Sequence, residues 1–147
     1  MNKNKIYNIK RPHVFVPMCA DLIHHGHINI LKKSKKFGSV IVGLMTDKGI
    51  KSYKRKKPIF SYKIRKKILE SIKYVNFIIP SKGIEYVKLA KQYKFDYFVH
   101  GDDWKSGIQS SERKMLKKTM KKWGGKVIDF PYTKGVSSSY IKRHLKI

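Results

Sequence analysis

A chain of 147 residues, 41% of them hydrophobic, can bury one core without disulfides or a structural metal and is too short to expect a second domain. It has no run of the roughly 18 apolar residues that a membrane span needs, so no bilayer insertion is expected, and its single cysteine, Cys19, excludes an internal disulfide framework and fits a reducing, cytoplasmic compartment. Thirty-five Lys+Arg against nine Asp+Glu give a formal charge of +26; the lysines are dispersed rather than blocked, which fits anionic small ligands or a lysine-rich composition on solvated faces better than a dedicated nucleic-acid surface.

The first segment, Met1–Arg11, is polar and basic and lacks the apolar stretch of a signal peptide. Strands are then expected at His13–Pro17, Val40–Met45, Tyr74–Ile79, Tyr97–His100 and Lys126–Phe130. Several are continuous apolar runs, the pattern of parallel strands covered on both faces. Helical patterns separate them. Ile28, Ile30, Leu31, Ser34 and Lys35 mark the first. Ile64, Ile68, Leu69 and Ile72 form a clearer stripe, with Ser61 placed to cap it. Ile84, Val87, Ala90 and Gln92 mark another, and Met115, Leu116, Thr119, Met120 and Trp123 a strong one that ends at Gly124-Gly125. Ile141 and Leu145 indicate a short last helix. Strands and helices alternating in this way predict an α/β fold, a three-layer sandwich on a mostly parallel five-stranded sheet, in one domain over 1–147. Ligands in such folds bind beyond the C-terminal strand ends, where the strand order reverses.

The segments after the strands carry the chemistry. After the first strand come Met18-Cys19-Ala20-Asp21-Leu22-Ile23-His24-His25-Gly26-His27. His24 and His27 are three apart at an expected helix start, where unpaired N–H groups and the dipole receive phosphate, and Gly26 lets the backbone approach it. The same residues also allow a metal cluster with Cys19 or Asp21, or a solvated polar turn. Thr46 to Pro58 reads as a cationic loop that either neutralises and covers a polyphosphate or is simply exposed. After the fourth strand, Gly101-Asp102-Asp103-Trp104 offers a carboxylate for a ribose hydroxyl or base amine and a flat apolar ring, or an acidic turn beside a core tryptophan. Finally, Thr133-Lys134-Gly135-Val136-Ser137-Ser138-Ser139 precedes the last helix, with hydroxyls for an N-cap or for phosphate.

Asp21-Leu22-Ile23-His24-His25-Gly26-His27 resembles the DLxHxGH signature of the cytidylyltransferases, within the HxGH nucleotidyltransferase superfamily, and the later motifs follow in that family's order from about Val14 to Arg143. The resemblance implies transfer of CMP from CTP to a small phosphonate or phosphorylated alcohol, with release of pyrophosphate and Mg²⁺ on the triphosphate. It implies that His24, His27, Lys54 and Lys56 are catalytic and that Arg65, in the Ser61-Tyr62-x-x-Arg65 pattern, binds the acceptor's phosphate. Nucleotide contacts are implied for Met18, Cys19, Ala20, Asp21, Gly26, Gly101, Asp102, Asp103, Trp104, Thr133, Gly135, Val136, Ser137, Ser138 and Ser139, with no metal held by protein side chains. Met18-Cys19-Ala20-Asp21 is similar to the phosphonate cytidylyltransferases rather than to the Gly-Thr-Phe-Asp start of glycerol-3-phosphate cytidylyltransferases, so a phosphonate acceptor is the first expectation. Glycerol 3-phosphate, or an adenylyltransferase of the same superfamily, is the alternative, and outside the enzymes a basic nucleic-acid-binding module. The family is commonly dimeric, so a homodimer is expected, with neither nucleic acid nor membrane as partner.

Overall fold

The computed structural model describes residues 3–147, so the first two residues of the basic N-terminal segment lie outside the described residues. A 3₁₀ turn, Lys3–Asn8, places Ile6 in the core, 1% exposed. The chain then runs β1 (His13–Met18), α1 (His25–Lys35), β2 (Ser39–Met45), α2 (Asp47–Lys54), α3 (Tyr62–Glu70), β3 (Phe77–Ser81), α4 (Tyr86–Tyr93), β4 (Tyr97–Gly101), α5 (Ser110–Lys121), β5 (Lys126–Phe130) and α6 (Ser138–His144). The five strands are all parallel, in the order β3-β2-β1-β4-β5. The expected α/β sandwich is therefore present.

Alternate residues of each strand enter opposite layers, which explains the unbroken apolar runs. Val14, Val16, Val40, Val42, Leu44 and Val99 join Leu31 of α1 and Leu69 of α3 on one face. Phe15, Ile41 and Phe98 join Leu89 and Ala90 of α4 and Leu116 and Met120 of α5 on the other. Gly43 has its own reason: a Cβ there would fall 2.2 Å from Cζ of Phe15, so the tip of that ring fits against the strand only because the side chain is absent.

Several expectations are corrected. The third strand starts three residues later than Tyr74 and runs through Pro80. Asn76 ends the preceding turn, its side chain accepting from Val40 N at 2.9 Å and from Lys35 Nζ at 2.7 Å. Pro80 is tolerated because β3 is an edge strand paired only with β2. Thr46 to Pro58 is not a loop throughout: Thr46 accepts from Gly49 N at 3.1 Å and opens helix α2, which ends at Arg55 in the left-handed region, φ 55°. Ser61 stands at the N-cap of α3 but makes no side-chain cap. The buried face of α3 is Arg65 and Leu69, while Ile64 is 47% exposed.

The chain order reverses between β1 and β4, the position where an open parallel sheet forms its ligand crevice. β1 stays paired with β2 as far as Met18 but pairs with β4 only at Val14–Tyr97 and Phe15–Phe98. The two strands have parted beyond Phe15. Pro17, which has no N–H to give a ladder, lies in that splayed stretch.

Candidate active site

A cavity of about 270 Å³ occupies this crevice, close to the lower end of small-ligand clefts. It is lined from β1 and the turn after it by Pro17, Met18, Cys19, Ala20 and Asp21, and from α1 by His24, Gly26, His27, Asn29, Ile30 and Lys33. Lys54 at the end of α2, Gly101 and Asp103 after β4, and Thr133, Val136, Ser137, Ser138 and Ser139 before and in α6 also line it, as expected from sequence.

The two histidines form the helix cap. His24, the N-cap of α1, accepts from Gly26 N–H through Nδ1 at 3.1 Å, and His27 Nδ1 accepts from His24 N–H at 3.2 Å. The ring centroids are 4.1 Å apart. A nitrogen that accepts from a backbone N–H carries no hydrogen, so in both rings Nε2 is the protonated nitrogen and a hydrogen-bond donor. Burial, then the neighbouring His24 and Lys54, lowers the His27 pKa to about 4. Burial, then His25, lowers that of His24. Both are neutral donors at pH 7, whereas an imidazolium would have to surrender its capping bond. Gly26 is required by His24 itself: a Cβ at position 26 would lie 2.8 Å from His24 Cε1.

Five expected contacts lie outside the cavity lining, each for a visible reason. Arg65 is 0% exposed, and its guanidinium is spent on Phe60 O at 3.0 Å, Cys19 O at 2.6 Å, Met45 O at 2.8 Å and Asp47 Oδ1 at 2.6 Å. It braces four segments of the crevice wall and does not itself line the cavity. Trp104 is 1% exposed; its Nε1 donates to Asp129, which also pairs with Arg113 at 2.5 Å, and its ring stacks on His100 at 4.2 Å. Asp102 accepts from Tyr132 N at 3.1 Å and ties β4 to the segment after β5. Lys56 stands exposed beyond the end of α2, and Gly135 sits in a turn at φ 80°.

Asp21 lines the cavity but is also engaged. It accepts from Ile59 N at 2.8 Å, Phe60 N at 3.0 Å and Lys142 Nζ at 2.5 Å. Burial alone raises its pKa, but these bonds outweigh burial and hold the carboxyl below its ordinary value. Asp103 is held low by His100 beside it. His100 Nδ1 lies 2.9 Å from Gly101 O and 3.6 Å from Asp103 Oδ1, so the carbonyl is the nearer partner of the two. Met45, Tyr53, Ser81, Tyr86, His100, Gln109, Tyr132 and the cation Lys33 also line the cavity. Sequence reasoning assigned none of these a role in the site. Tyr53 beside Lys54, and His100 ahead of Gly101, are flagged only by adjacency to motif residues; Tyr86 and Gln109 carry no local signal.

The chain matches the Cytidylyltransferase-like family over residues 15–144. It is 39% identical over 127 residues to glycerol-3-phosphate cytidylyltransferase of Bacillus spizizenii, covering 85% of this chain and 90% of that protein. It is 35% identical to the Staphylococcus aureus protein of the same name, over 85% of this chain and 88% of that one. Among solved structures it resembles the lipopolysaccharide core biosynthesis protein from Thermoplasma volcanium, with TM-score 0.67 and 26% identity, covering 82% of this chain and 97% of that one. A match from Phe15 to His144, whose shared sheet carries the histidine-capped helix at its reversal point, makes this chain a member of the cytidylyltransferase-like family.

Proposed function

We propose that the protein transfers CMP from CTP to a small phosphorylated alcohol, with glycerol 3-phosphate as the first acceptor to test. The observation that carries this reading is the pair of neutral imidazoles on the crevice wall whose Nδ1 atoms are held by the cap of α1, leaving Nε2–H as the donor of each ring. The relatives at 35–39% identity move the balance from a phosphonate to glycerol 3-phosphate. The start Met18-Cys19-Ala20-Asp21 keeps a phosphonate acceptor as the second reading.

In the proposed step an oxygen of the acceptor's phosphate attacks the α-phosphorus of CTP in line. One P–O bond forms, the bond to the β-phosphate oxygen breaks, and pyrophosphate leaves with its electron pair. The acceptor oxygen is already anionic, so no base is needed. His24 and His27 donate to the oxygens that gain charge, as fixed donors act in other group transfers, and Lys54 offsets further charge. Asp21 is saturated by Ile59 N, Phe60 N and Lys142, and among the described residues no three His, Cys, Asp or Glu side chains converge. Mg²⁺ therefore fits as an ion brought by the triphosphate oxygens, where it would neutralise charge.

The test follows pyrophosphate release with CTP and ATP, each with glycerol 3-phosphate and 2-hydroxyethylphosphonate. Turnover with CTP and glycerol 3-phosphate is expected; turnover with ATP alone would remove the reading. His27→Ala should lower kcat by about 100-fold or more, the usual loss for one fixed donor to a developing charge, with the fold retained by circular dichroism. Unchanged kcat would take His27 out of the reaction.

A further inference from the structure

The cavity continues past the histidines toward the ends of β2 and β3, into a chamber lined by Met45, Ser81, Tyr53, Tyr86 and Gln109. Three of these side chains, from three separate elements, form a directed hydrogen-bond chain. Tyr86 Oη donates to Gln109 Oε1 at 3.2 Å, and Gln109 Nε2 donates to Tyr53 Oη at 2.9 Å. The direction has a physical cause. Tyr86 is 3% exposed, so its hydroxyl hydrogen needs an acceptor inside the protein, and burial pushes its phenol pKa up, so it remains a donor at neutral pH. With the amide oxygen facing Tyr86, the amide N–H faces Tyr53 and occupies one lone pair of its oxygen. The hydrogen of Tyr53, which is 41% exposed at the rim beside Lys54, is then left to donate outward.

We infer that Tyr53 is a specificity-determining donor in the acceptor end of the site, and that it selects a phosphorylated or phosphonylated acceptor with a hydroxyl on its tail over the same skeleton with an ammonium group. The inference rests on the transferase reading above and deepens it. A hydroxyl oxygen accepts from Tyr53; an ammonium group has no lone pair to accept with and would leave that donor unmatched in a cleft that excludes part of the solvent. The nearby Lys54 adds a like charge against an ammonium tail. Asp103, which would favour one, has its carboxylate beside His100, 3.6 Å from Nδ1.

The experiment measures pyrophosphate release from CTP with two matched pairs: 2-hydroxyethylphosphonate against 2-aminoethylphosphonate, and 2-hydroxyethyl phosphate against ethanolamine phosphate. Wild type should favour the hydroxyl member of each pair by about 10-fold or more in kcat/KM. Tyr53→Phe should erase that preference by raising KM for the hydroxyl acceptors while leaving KM for CTP alone. Gln109→Leu, which frees the tyrosines without removing a phenol, should weaken the preference in the same direction. Turnover without a hydroxyl preference, or a Tyr53→Phe variant that loses all four acceptors equally, overturns the inference and leaves the transferase standing. No pyrophosphate release from CTP with any acceptor removes both.

Discussion

The side chains that cap α1 do two jobs, and the jobs constrain each other. Each imidazole spends Nδ1 on a backbone N–H, which fixes Nε2 as the donor only while the ring is neutral. Protonation costs the cap, and burial already disfavours it. The sign of the resulting pH dependence follows. The His27 pKa falls from an ordinary 6.5 to about 4 on folding, so above pH 6.5 neither folded nor unfolded chain protonates this ring and the full stability is present. As pH drops from about 6.5 toward 4 the unfolded chain takes up the proton first, and stability is lost across that window. His27→Gln keeps a carbonyl acceptor for His24 N–H but cannot titrate; urea midpoints measured from pH 7.5 to 4 should fall less steeply for the variant than for wild type. An equal slope would place the titration elsewhere. Gly26→Ala tests the same geometry from the backbone side. Its methyl group must displace the His24 ring, so turnover should drop by about 10-fold or more while the helix persists. Spacing alone revealed that these residues share one helix end. It did not reveal which of the motif residues face inward, because that is settled by partners far along the chain: Asp129 for Trp104, Tyr132 for Asp102, and Cys19, Met45 and Asp47 for Arg65.

At the scale of elements, the crevice is a set of strand ends and loops held together by two buried charges. Arg65 from α3 grips the ends of β1 and β2 and the start of α2, while Asp21 grips the 59–60 segment and, through Lys142, helix α6. Both act on Phe60, one on its carbonyl and the other on its N–H. Removing Arg65 strands three carbonyl groups and Asp47. Arg65→Met should therefore cost about 3–5 kcal/mol, the usual penalty for breaking a buried charged network, read as a loss in the urea midpoint. A cost below about 1 kcal/mol, the range of an exposed pair, would show that the network is dispensable. Four of the five strands were legible because burial on both faces writes a continuous apolar run into the sequence. The third was misplaced because the apolar pair Tyr74-Val75 precedes it in a turn, and the edge position admits Pro80. Helix α2 went unread because it buries only Gly49 and Ile50 and is otherwise polar and basic, so its helicity comes from the Thr46 cap and its packing on the sheet end, which composition does not show.

Over the whole molecule the dominant fact is the charge of +26, whose field would reach a polyanionic nucleotide before any contact forms. Two sources would raise the capture of CTP: cations lining the crevice, Lys33 and Lys54, and the summed field of lysines on every face. Both weaken with salt, since the screening length shrinks from about 30 Å at 0.01 M to about 8 Å at 0.15 M. A fall in kcat/KM for CTP across that range, with kcat nearly constant, is thus expected on either account. They part on a remote variant. Lys118, Lys121 and Lys122 are exposed at the C-terminal end of α5, next to the turn that leads into the start of β5 and so toward the opposite end of the strands from the cavity. Reversing all three to Glu leaves every crevice contact in place. If the molecular field concentrates the nucleotide, the triple variant should show a shallower salt dependence and a lower kcat/KM at 0.01 M, converging with wild type at 0.15 M. Because charges beyond the screening length of about 8 Å at 0.15 M still act within the one of about 30 Å at 0.01 M, we expect that convergence; identical salt curves would assign the effect to Lys33 and Lys54 alone.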